Sequence, residues 1–169
     1  QGPLTPTPRT AGAALEEFAT PGVVTIDALA AAPYGVPAHQ QIKTLAYMVD
    51  GRLTLFLLRG DHQLNEAKLL TATRGVLCKA AEPDDIRKAL GALPGSLGAV
   101  GLKNLPVYAD ETLRGAIGMV TGANEDDHHL RGVNLERDIE IDRWADLRTV
   151  TSGEACPRCD SGAVEVYKA

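Results

Sequence analysis

Two runs of apolar residues separated by an Asp-Gly dipeptide form the clearest pattern in the sequence. Residues 42–48 and 53–58 are rich in apolar and β-favouring side chains, and Asp50 and Gly51 lie between them. An Asp-Gly pair between two such runs is a strong signal for a tight turn, because both central residues of that turn need a positive φ. The pattern predicts an antiparallel strand pair.

Helix signals lie on both sides of this hairpin. Thr25 precedes an apolar stretch that stops at the proline-rich residues 33–37, which predicts a capped helix over residues 25–32. Acidic residues open a predicted helix over residues 82–90, where the helix dipole favours them. Shorter helices are predicted at residues 11–18, 65–70 (with Asp61 as a candidate cap) and 134–137.

The remaining segments alternate between strands and loops. We predict strands at residues 75–79, 105–109, 147–150 and 164–167, mixed structure over 112–121, and loops over 93–102 and 124–130. Strands and helices interleave, and the hairpin favours a mixed sheet over a parallel one. The sequence therefore predicts an α/β mixed (α+β) fold.

Composition narrows the class of protein. The chain has 169 residues, and its 44% hydrophobic and 23% charged residues are ordinary for a globular domain with a tail. The formal net charge of -5 argues mildly against nucleic-acid binding by this chain alone. No apolar run is long enough to span a membrane, no secretory signal is evident, and three cysteines do not make a disulfide framework. We expect a cytoplasmic protein with no membrane partner.

Lys43 is the first candidate for chemistry, because it lies inside the first apolar run. A lysine at a half-buried strand position needs a partner for its charge. One interpretation places Lys43 on the solvent face of the strand, and the other makes it a donor to a phosphate or a substrate carbonyl. The pattern of residues leaves both open.

Three polar segments carry further candidates. Residues 59–66 are either a strand-to-helix turn or part of a site, and residues 94–98 form a glycine-rich loop that allows a close approach of backbone to ligand. Residues 122–134 hold two histidines beside acidic residues, a combination suited to acid–base work or to a solvated loop. Cys156 and Cys159 form one Cys-x-x-Cys knuckle, which is half of a zinc site, so we expect no metal except for weak binding there.

Taken in order, these segments resemble one family closely. The resemblance is to the insertion domain of bacterial prolyl-tRNA synthetases, in the YbaK-like superfamily of aminoacyl-tRNA deacylases. The segments that carry it are residues 42–45 (Ile-Lys-Thr-Leu), 58–66 (Leu-Arg-Gly-Asp-His-Gln-Leu-Asn-Glu), 94–98 (Pro-Gly-Ser-Leu-Gly), 122–124 (Gly-Ala-Asn), and His129 ahead of 132–134 (Gly-Val-Asn). It implies a largely antiparallel, barrel-like mixed sheet surrounded by helices. Residues 20–152 would be the editing domain, residues 1–19 a linker or N-terminal extension, and residues 153–169 a tail leading back to the synthetase body.

The resemblance also implies a site. Its catalytic residues would be Lys43, Asp110 and His129. Its substrate-binding residues would be the apolar pair Ile26 and Leu29 and the loop residues Gly95, Ser96 and Gly98. One departure from the family pattern is Gln41, which stands where the family usually has a threonine.

The implied activity is hydrolysis of the ester in alanyl-tRNA(Pro). A synthetic site built for proline rejects the smaller alanine poorly, since missing methylenes are worth only about 1–3 kcal/mol, and a second, smaller pocket corrects the error. The partners would be the tRNA(Pro) 3′ end carrying alanine and the remaining synthetase domains. No cofactor is expected for editing, because ATP and magnesium would belong to the synthetase body. The alternatives are a free-standing deacylase of another mischarged tRNA, such as cysteinyl-tRNA, and a non-catalytic tRNA-positioning module.

Overall fold

The computed structural model describes residues 15–92 and 95–149. Within these residues the chain forms eight strands and four α-helices. In chain order they are β1 (Glu16–Ala19), α1 (Ile26–Ala30), β2 (Ile42–Val49), β3 (Arg52–Arg59), α2 (Glu66–Thr73), β4 (Cys78–Ala80), α3 (Pro83–Leu90), β5 (Val107–Asp110), β6 (Met119–Gly122), β7 (His128–Val133), α4 (Leu135–Asp138) and β8 (Arg143–Ala145).

The hairpin of β2 and β3 is the centre of the fold, as the sequence predicts. The two strands pair from Ile42 opposite Arg59 to Val49 opposite Arg52. Asp50 and Gly51 both have positive φ, 50° and 85°, which is the backbone conformation a two-residue hairpin turn requires. The turn residues therefore set the register of the pair.

A five-stranded sheet grows outward from this hairpin in the order β4-β2-β3-β5-β8. β4 pairs antiparallel with β2, whereas β5 and β8 add in parallel. Residues Leu55 to Leu58 of β3 are fully buried, because apolar residues cover both faces of the sheet. Leu55 and Leu57 belong to the main core, and Phe56 and Leu58 to a second cluster beneath α2.

A second sheet of three strands has the order β1-β7-β6. It meets the first sheet through one parallel bridge between Gln41 and Val120. Four of the six strand pairings across the two sheets are antiparallel. The predicted mixed α/β fold is confirmed.

The sequence prediction was wrong at both edges of the fold. The predicted helix over 11–18 gives way, in its described part, to strand β1, whose residues pair with β7. Tertiary pairing overrides local helix propensity there. β1 also lies inside the range 1–19 that was predicted as a linker or N-terminal extension, and it pairs with β7. The predicted loop over 124–130 ends early, because β7 already starts at His128.

The predicted strand over 147–150 was also wrong where the structure describes it. The strand is β8, four residues earlier, and Arg148 takes part in an isolated bridge to Leu64. The apolar Leu147 that suggested a strand is instead a fully buried core residue. The predicted strand at 164–167 and the pair Cys156 and Cys159 lie outside the described residues.

Helix caps show where local chemistry decides the structure. The Thr25 hydroxyl accepts a hydrogen bond from the Ala28 backbone amide at 3.0 Å, as predicted for α1. α2 is capped by Asn65, whose side chain accepts from Lys68 N at 3.0 Å. Asp61, the predicted cap, is instead paired with Arg59 at 2.6 Å. In the described part of the chain, no helix is long and apolar enough to cross a membrane.

Candidate functional site

A cleft opens where β2 and β6 diverge beyond the bridge between Gln41 and Val120. Its volume is about 270 Å³. The walls come from α1, the first half of β2, the loop after α3, β6 and β7. The lining residues are Val24, Thr25, Ile26, Gln41, Ile42, Lys43, Thr44, Leu45, Gly95, Leu97, Val120, Thr121, Gly122 and His129.

One edge of β2 directs its peptide N–H and C=O groups toward this cleft. Ala46 O accepts from Ala81 N on the β4 side, whereas Gln41 O accepts from Gly60 N on the β3 side. Successive residues of a strand direct their peptide groups to alternate edges, so Thr44 shares the edge of Ala46. β4 pairs with β2 only from Tyr47 onward. The peptide groups of Thr44 therefore point toward the cleft.

Lys43 lies at the rim of the cleft and is half-buried. Its ammonium donates a hydrogen bond to the backbone carbonyl of His62, so the side chain does not extend freely into solvent. Burial lowers the pKa of the Lys43 ammonium, and the nearby Asp61 carboxylate opposes part of that effect. The arrangement holds a partly desolvated cation beside the cleft.

His129 forms part of the cleft wall and is 6% exposed. Its Nδ1 shares a 2.6 Å hydrogen bond with the hydroxyl of Thr20, which is fully buried. Burial lowers the pKa of the His129 imidazole below its ordinary value of 6.5. The ring is therefore neutral near pH 7 and is held in one orientation by Thr20.

Two hydroxyl groups on opposite walls of the cleft are buried without a hydrogen-bond partner among the described residues. They are Thr44 Oγ1 on β2 and Thr121 Oγ1 on β6. A buried hydroxyl left without a partner costs about 1–3 kcal/mol. A polar ligand or water in the cleft would remove that cost, which marks these two groups as binding positions.

The two apolar residues predicted from the resemblance have different positions. Ile26 lines the cleft. Leu29 is 1% exposed and packs with Val23 and Val120 in a small cluster behind the wall. Ile26 is thus placed to meet a ligand, and Leu29 to support the wall.

The glycine-rich loop packs tightly against the end of β6. Gly95 has a φ of 105°, and a Cβ there would lie 2.7 Å from Val24 Cα. A Cβ on Gly98 would lie 2.0 Å from Gly122 O, so both glycines are required for close backbone packing. Gly95 lines the cleft, whereas Gly98 and the buried Ser96 are not among its lining residues. The hydroxyl of Ser96 instead accepts from Asp127 N at 3.3 Å.

Asp110 does not lie in the cleft. Its carboxylate is 1% exposed and accepts hydrogen bonds from Leu147 N at 2.7 Å and from Thr112 N at 3.1 Å. These contacts fix the end of β5 to the segment after β8. The structure therefore brings Lys43 and His129 together, but it places Asp110 in a structural network.

Gln41 also has a structural position. Its amide nitrogen donates to Ile26 O at 3.0 Å and to Val36 O at 2.9 Å. These bonds hold α1 and the segment after it against the start of β2. Gln41 thereby positions Ile26 in the wall of the cleft.

Sequence reasoning missed Thr20, Thr44 and Thr121. Thr20 and His129 are 109 positions apart in the chain, so no local spacing signals their contact. Among the described residues, Glu17, Glu125 and His128 have ligand atoms close enough together to hold a metal ion. These three side chains are not among the lining residues of the cleft.

Comparison with known proteins identifies the family. The sequence model of the family described as aminoacyl-tRNA editing domain matches residues 20–139. The chain belongs to this family. The matched residues include every residue that lines the cleft, and the resemblance inferred from the sequence is confirmed.

The editing domain is similar to one segment of larger proteins. It is 52% identical over 157 residues to the proline–tRNA ligase of Anaeromyxobacter sp. (strain Fw109-5), covering 91% of this chain and 27% of that protein. It is 44% identical over 165 residues to the proline–tRNA ligase of Nitratidesulfovibrio vulgaris, covering 97% of this chain and 28% of that protein. The chain thus spans just over a quarter of the length of these relatives.

A solved structure shares the fold of the editing domain. A candidate trans-editing enzyme for prolyl tRNA synthetase superposes with a TM-score of 0.69 at 23% sequence identity, covering 80% of this chain and 87% of that chain. At this identity the likeness concerns the fold. It agrees with the mixed sheet described above.

Proposed function

We propose that this editing domain hydrolyses the ester of alanyl-tRNA(Pro) and is part of a proline–tRNA ligase. The observation that carries the proposal is the small cleft between β2 and β6, with a neutral His129 in its wall and the Lys43 ammonium at its rim. The similarity to segments of proline–tRNA ligases supports the choice of tRNA.

The walls of the cleft suit a small apolar side chain. Ile26 and Val120 provide apolar walls, and His129 is held by Thr20. A pocket that accepts alanine and excludes proline by size complements a synthetic site that cannot reject alanine well. His129 suits this role because a neutral ring can pack against an alkyl side chain without loss of a hydrated charge.

The charge of Lys43 fits the other part of the substrate. The chain is acidic overall, with a formal net charge of -5. The ammonium at the cleft rim is positioned to attract a phosphate of the tRNA 3′ end or to polarise the ester carbonyl. Because burial removes part of its solvation, its attraction to an anionic group is stronger than on the open surface.

Water is the proposed nucleophile. The water oxygen bonds to the ester carbonyl carbon, the bond from that carbon to the ribose oxygen breaks, and the departing oxygen takes a proton. The products are alanine and tRNA with a free 3′ hydroxyl. Thr44 and Thr121 have buried hydroxyls available to orient the water or the amino group of alanine. The reaction as proposed requires no cofactor.

The test is release of alanine from alanyl-tRNA(Pro), compared with prolyl-tRNA(Pro) and cysteinyl-tRNA. We expect release of alanine from the first substrate alone. Lys43→Ala should lower it on the order of 100-fold, and Lys79→Ala, at an exposed position on β4, should leave it unchanged. Preferential hydrolysis of cysteinyl-tRNA would replace the proposal by a deacylase of different specificity. Failure to hydrolyse any of the three, in the domain and in the full-length ligase, would point to a tRNA-positioning module.

A further inference from the structure

A second groove of about 480 Å³ lies directly beside the cleft. The two share Val120, and the Phe18 ring in the groove lies 6.3 Å from the His129 ring, centroid to centroid. Gln40 lines the groove and the next residue, Gln41, lines the cleft. The groove and the cleft are therefore neighbouring cavities.

The groove offers flat surfaces. The rings of Phe18 and Tyr34 lie 6.4 Å apart at an angle of 52°. The guanidinium carbon of Arg131 lies 3.9 Å from the centroid of the Phe18 ring. Aromatic rings and arginine planes are the surfaces on which proteins stack unpaired nucleobases. Glycines 35, 118 and 132 also line the groove and leave it open to a flat ligand.

The charges in the groove favour a base over a phosphate. Arg131 is paired with Glu16 at 3.5 Å, so a carboxylate lies beside the cation. A phosphate would meet the carboxylate of Glu16 as well as the guanidinium. A neutral base carries both donors and acceptors at its edge, and it can bond to a carboxylate and a guanidinium together.

We propose that this groove is the subsite for the nucleobase of the nucleotide that carries the ester. The base and the 3′ ester of a nucleotide lie on opposite sides of one ribose, so their sites must be neighbours separated by a single sugar. The cleft and the groove are neighbours that share Val120. The inference rests on the proposed function, because it takes the cleft to hold the aminoacyl group.

The probes are two stable amides. The first is 3′-alanylamido-3′-deoxyadenosine, in which an amide replaces the ester, and the second is the matching alanylamido sugar without a base. We expect the first to bind about tenfold more tightly or better, because stacking of one base supplies that much. Chemical-shift changes in NMR titrations should appear around Phe18, Tyr34 and Gly132 with the first probe only.

Two variants test the surfaces of the groove. Tyr34→Leu keeps an apolar side chain, and Arg131→Gln keeps a polar one at an exposed position. Each variant should lose most of the extra affinity for the probe with a base and should bind the base-free probe as tightly as the wild type does. Arg143→Gln, at an exposed position on β8, is the control and should change neither.

The outcomes separate this inference from the proposed function. If the wild-type domain releases alanine but binds both probes equally, or if the advantage of the base survives in both variants, the groove is not the base subsite. If the domain neither releases alanine nor binds either probe, both the inference and the proposed function are overturned.

Discussion

Asn124 and Gly98 are joined by two hydrogen bonds between one side chain and one residue's backbone. Asn124 Oδ1 accepts from Gly98 N at 2.9 Å, and Asn124 Nδ2 donates to Gly98 O at 2.8 Å. The backbone amide of Asn124 donates in addition to Ser96 O at 2.8 Å. Asn124 therefore fixes the glycine-rich loop to the turn between β6 and β7, and with it one wall of the cleft.

Asn124→Ala should loosen this loop. It removes both side-chain bonds and places alanine at a φ of 59°, which asparagine tolerates better. We expect the free energy of unfolding to fall by about 1–3 kcal/mol in urea denaturation, and alanine release to fall with it. Asn124→Asp keeps the acceptor and loses the donor, so its effects should be intermediate. Unchanged stability and activity in both variants would show that the clamp does not hold the loop.

Ile26→Ala and Leu29→Ala should differ in kind, although both residues were predicted from the sequence as pocket residues. Ile26 lines the cleft, so its truncation should enlarge the pocket and allow hydrolysis of prolyl-tRNA(Pro). Leu29 is buried behind the wall, so its truncation should cost about 2–5 kcal/mol of stability. Rates of deacylation for alanyl and prolyl substrates, with urea denaturation of both variants, measure the difference. Prolyl hydrolysis gained only by Leu29→Ala would contradict the placement.

The two adjacent histidines should titrate on opposite sides of the ordinary histidine pKa. Burial lowers the pKa of His129, whereas the backbone carbonyl of Asp126 and nearby carboxylates raise the pKa of the partly exposed His128. NMR titration of the imidazole resonances should show His128 gaining its proton first as the pH falls. If His129 gained its proton before His128, the His129 ring would not be desolvated in solution.

The lowered pKa of His129 also makes the free energy of unfolding depend on pH. The folded-state pKa of His129 is below 6.5. At pH values between that pKa and 6.5, the unfolded chain therefore binds more protons than the folded chain. The contribution of His129 to stability is therefore complete above pH 6.5 and is lost as the pH falls through the folded-state pKa. In His129→Gln, the free energy of unfolding should decrease less steeply as the pH falls below 6.5. If the free energy of unfolding of the variant decreased as steeply with falling pH as that of the wild type, His129 would not be the cause of that decrease.

Lys43→Met should separate stability from activity. Burial lowers the pKa of Lys43, so the charged form is disfavoured in the folded protein, and unfolding at pH values just below 10.5 takes up protons. We expect Lys43→Met to unfold at a higher urea concentration than the wild type. Alanine release should fall on the order of 100-fold, as for the loss of an electrostatic stabiliser of a transition state.

Lys43→Arg is the control for charge. It keeps the cation but changes its shape, so part of the activity should return without the gain in stability. If Lys43→Met retained full deacylase activity, the ammonium at the cleft rim would have no part in the reaction.

The parts of the fold that the sequence predicts are those decided by near neighbours. The Asp50 turn and the Thr25 cap each depend on a few adjacent residues, and both are observed. β1 and β8 depend on partners far along the chain, and there the local patterns pointed to a helix at residues 11–18 and to a strand at 147–150. Edge strands are set by the sheet that receives them more than by their own residues.

The residues of the candidate site were likewise predicted only in part from the sequence. Lys43, His129, Ile26 and Gly95 meet in the cleft as the family pattern predicts. Asp110 matches the same pattern, yet its carboxylate bonds to backbone groups away from the cleft, a distinction that depends on orientation rather than on residue type. The unpartnered hydroxyls carry no sequence signal, because threonine is common in strands.

The edge of β2 beside the cleft contributes peptide groups, and these differ from side chains in one respect. Truncation to alanine leaves the peptide N–H and C=O of Thr44 in place, so a scan of side chains would record none of their contribution to binding. Every substitution other than proline leaves both groups in place, and proline removes only the N–H. This part of the cleft wall is thus set by the path of the strand and is independent of which side chain residue 44 carries.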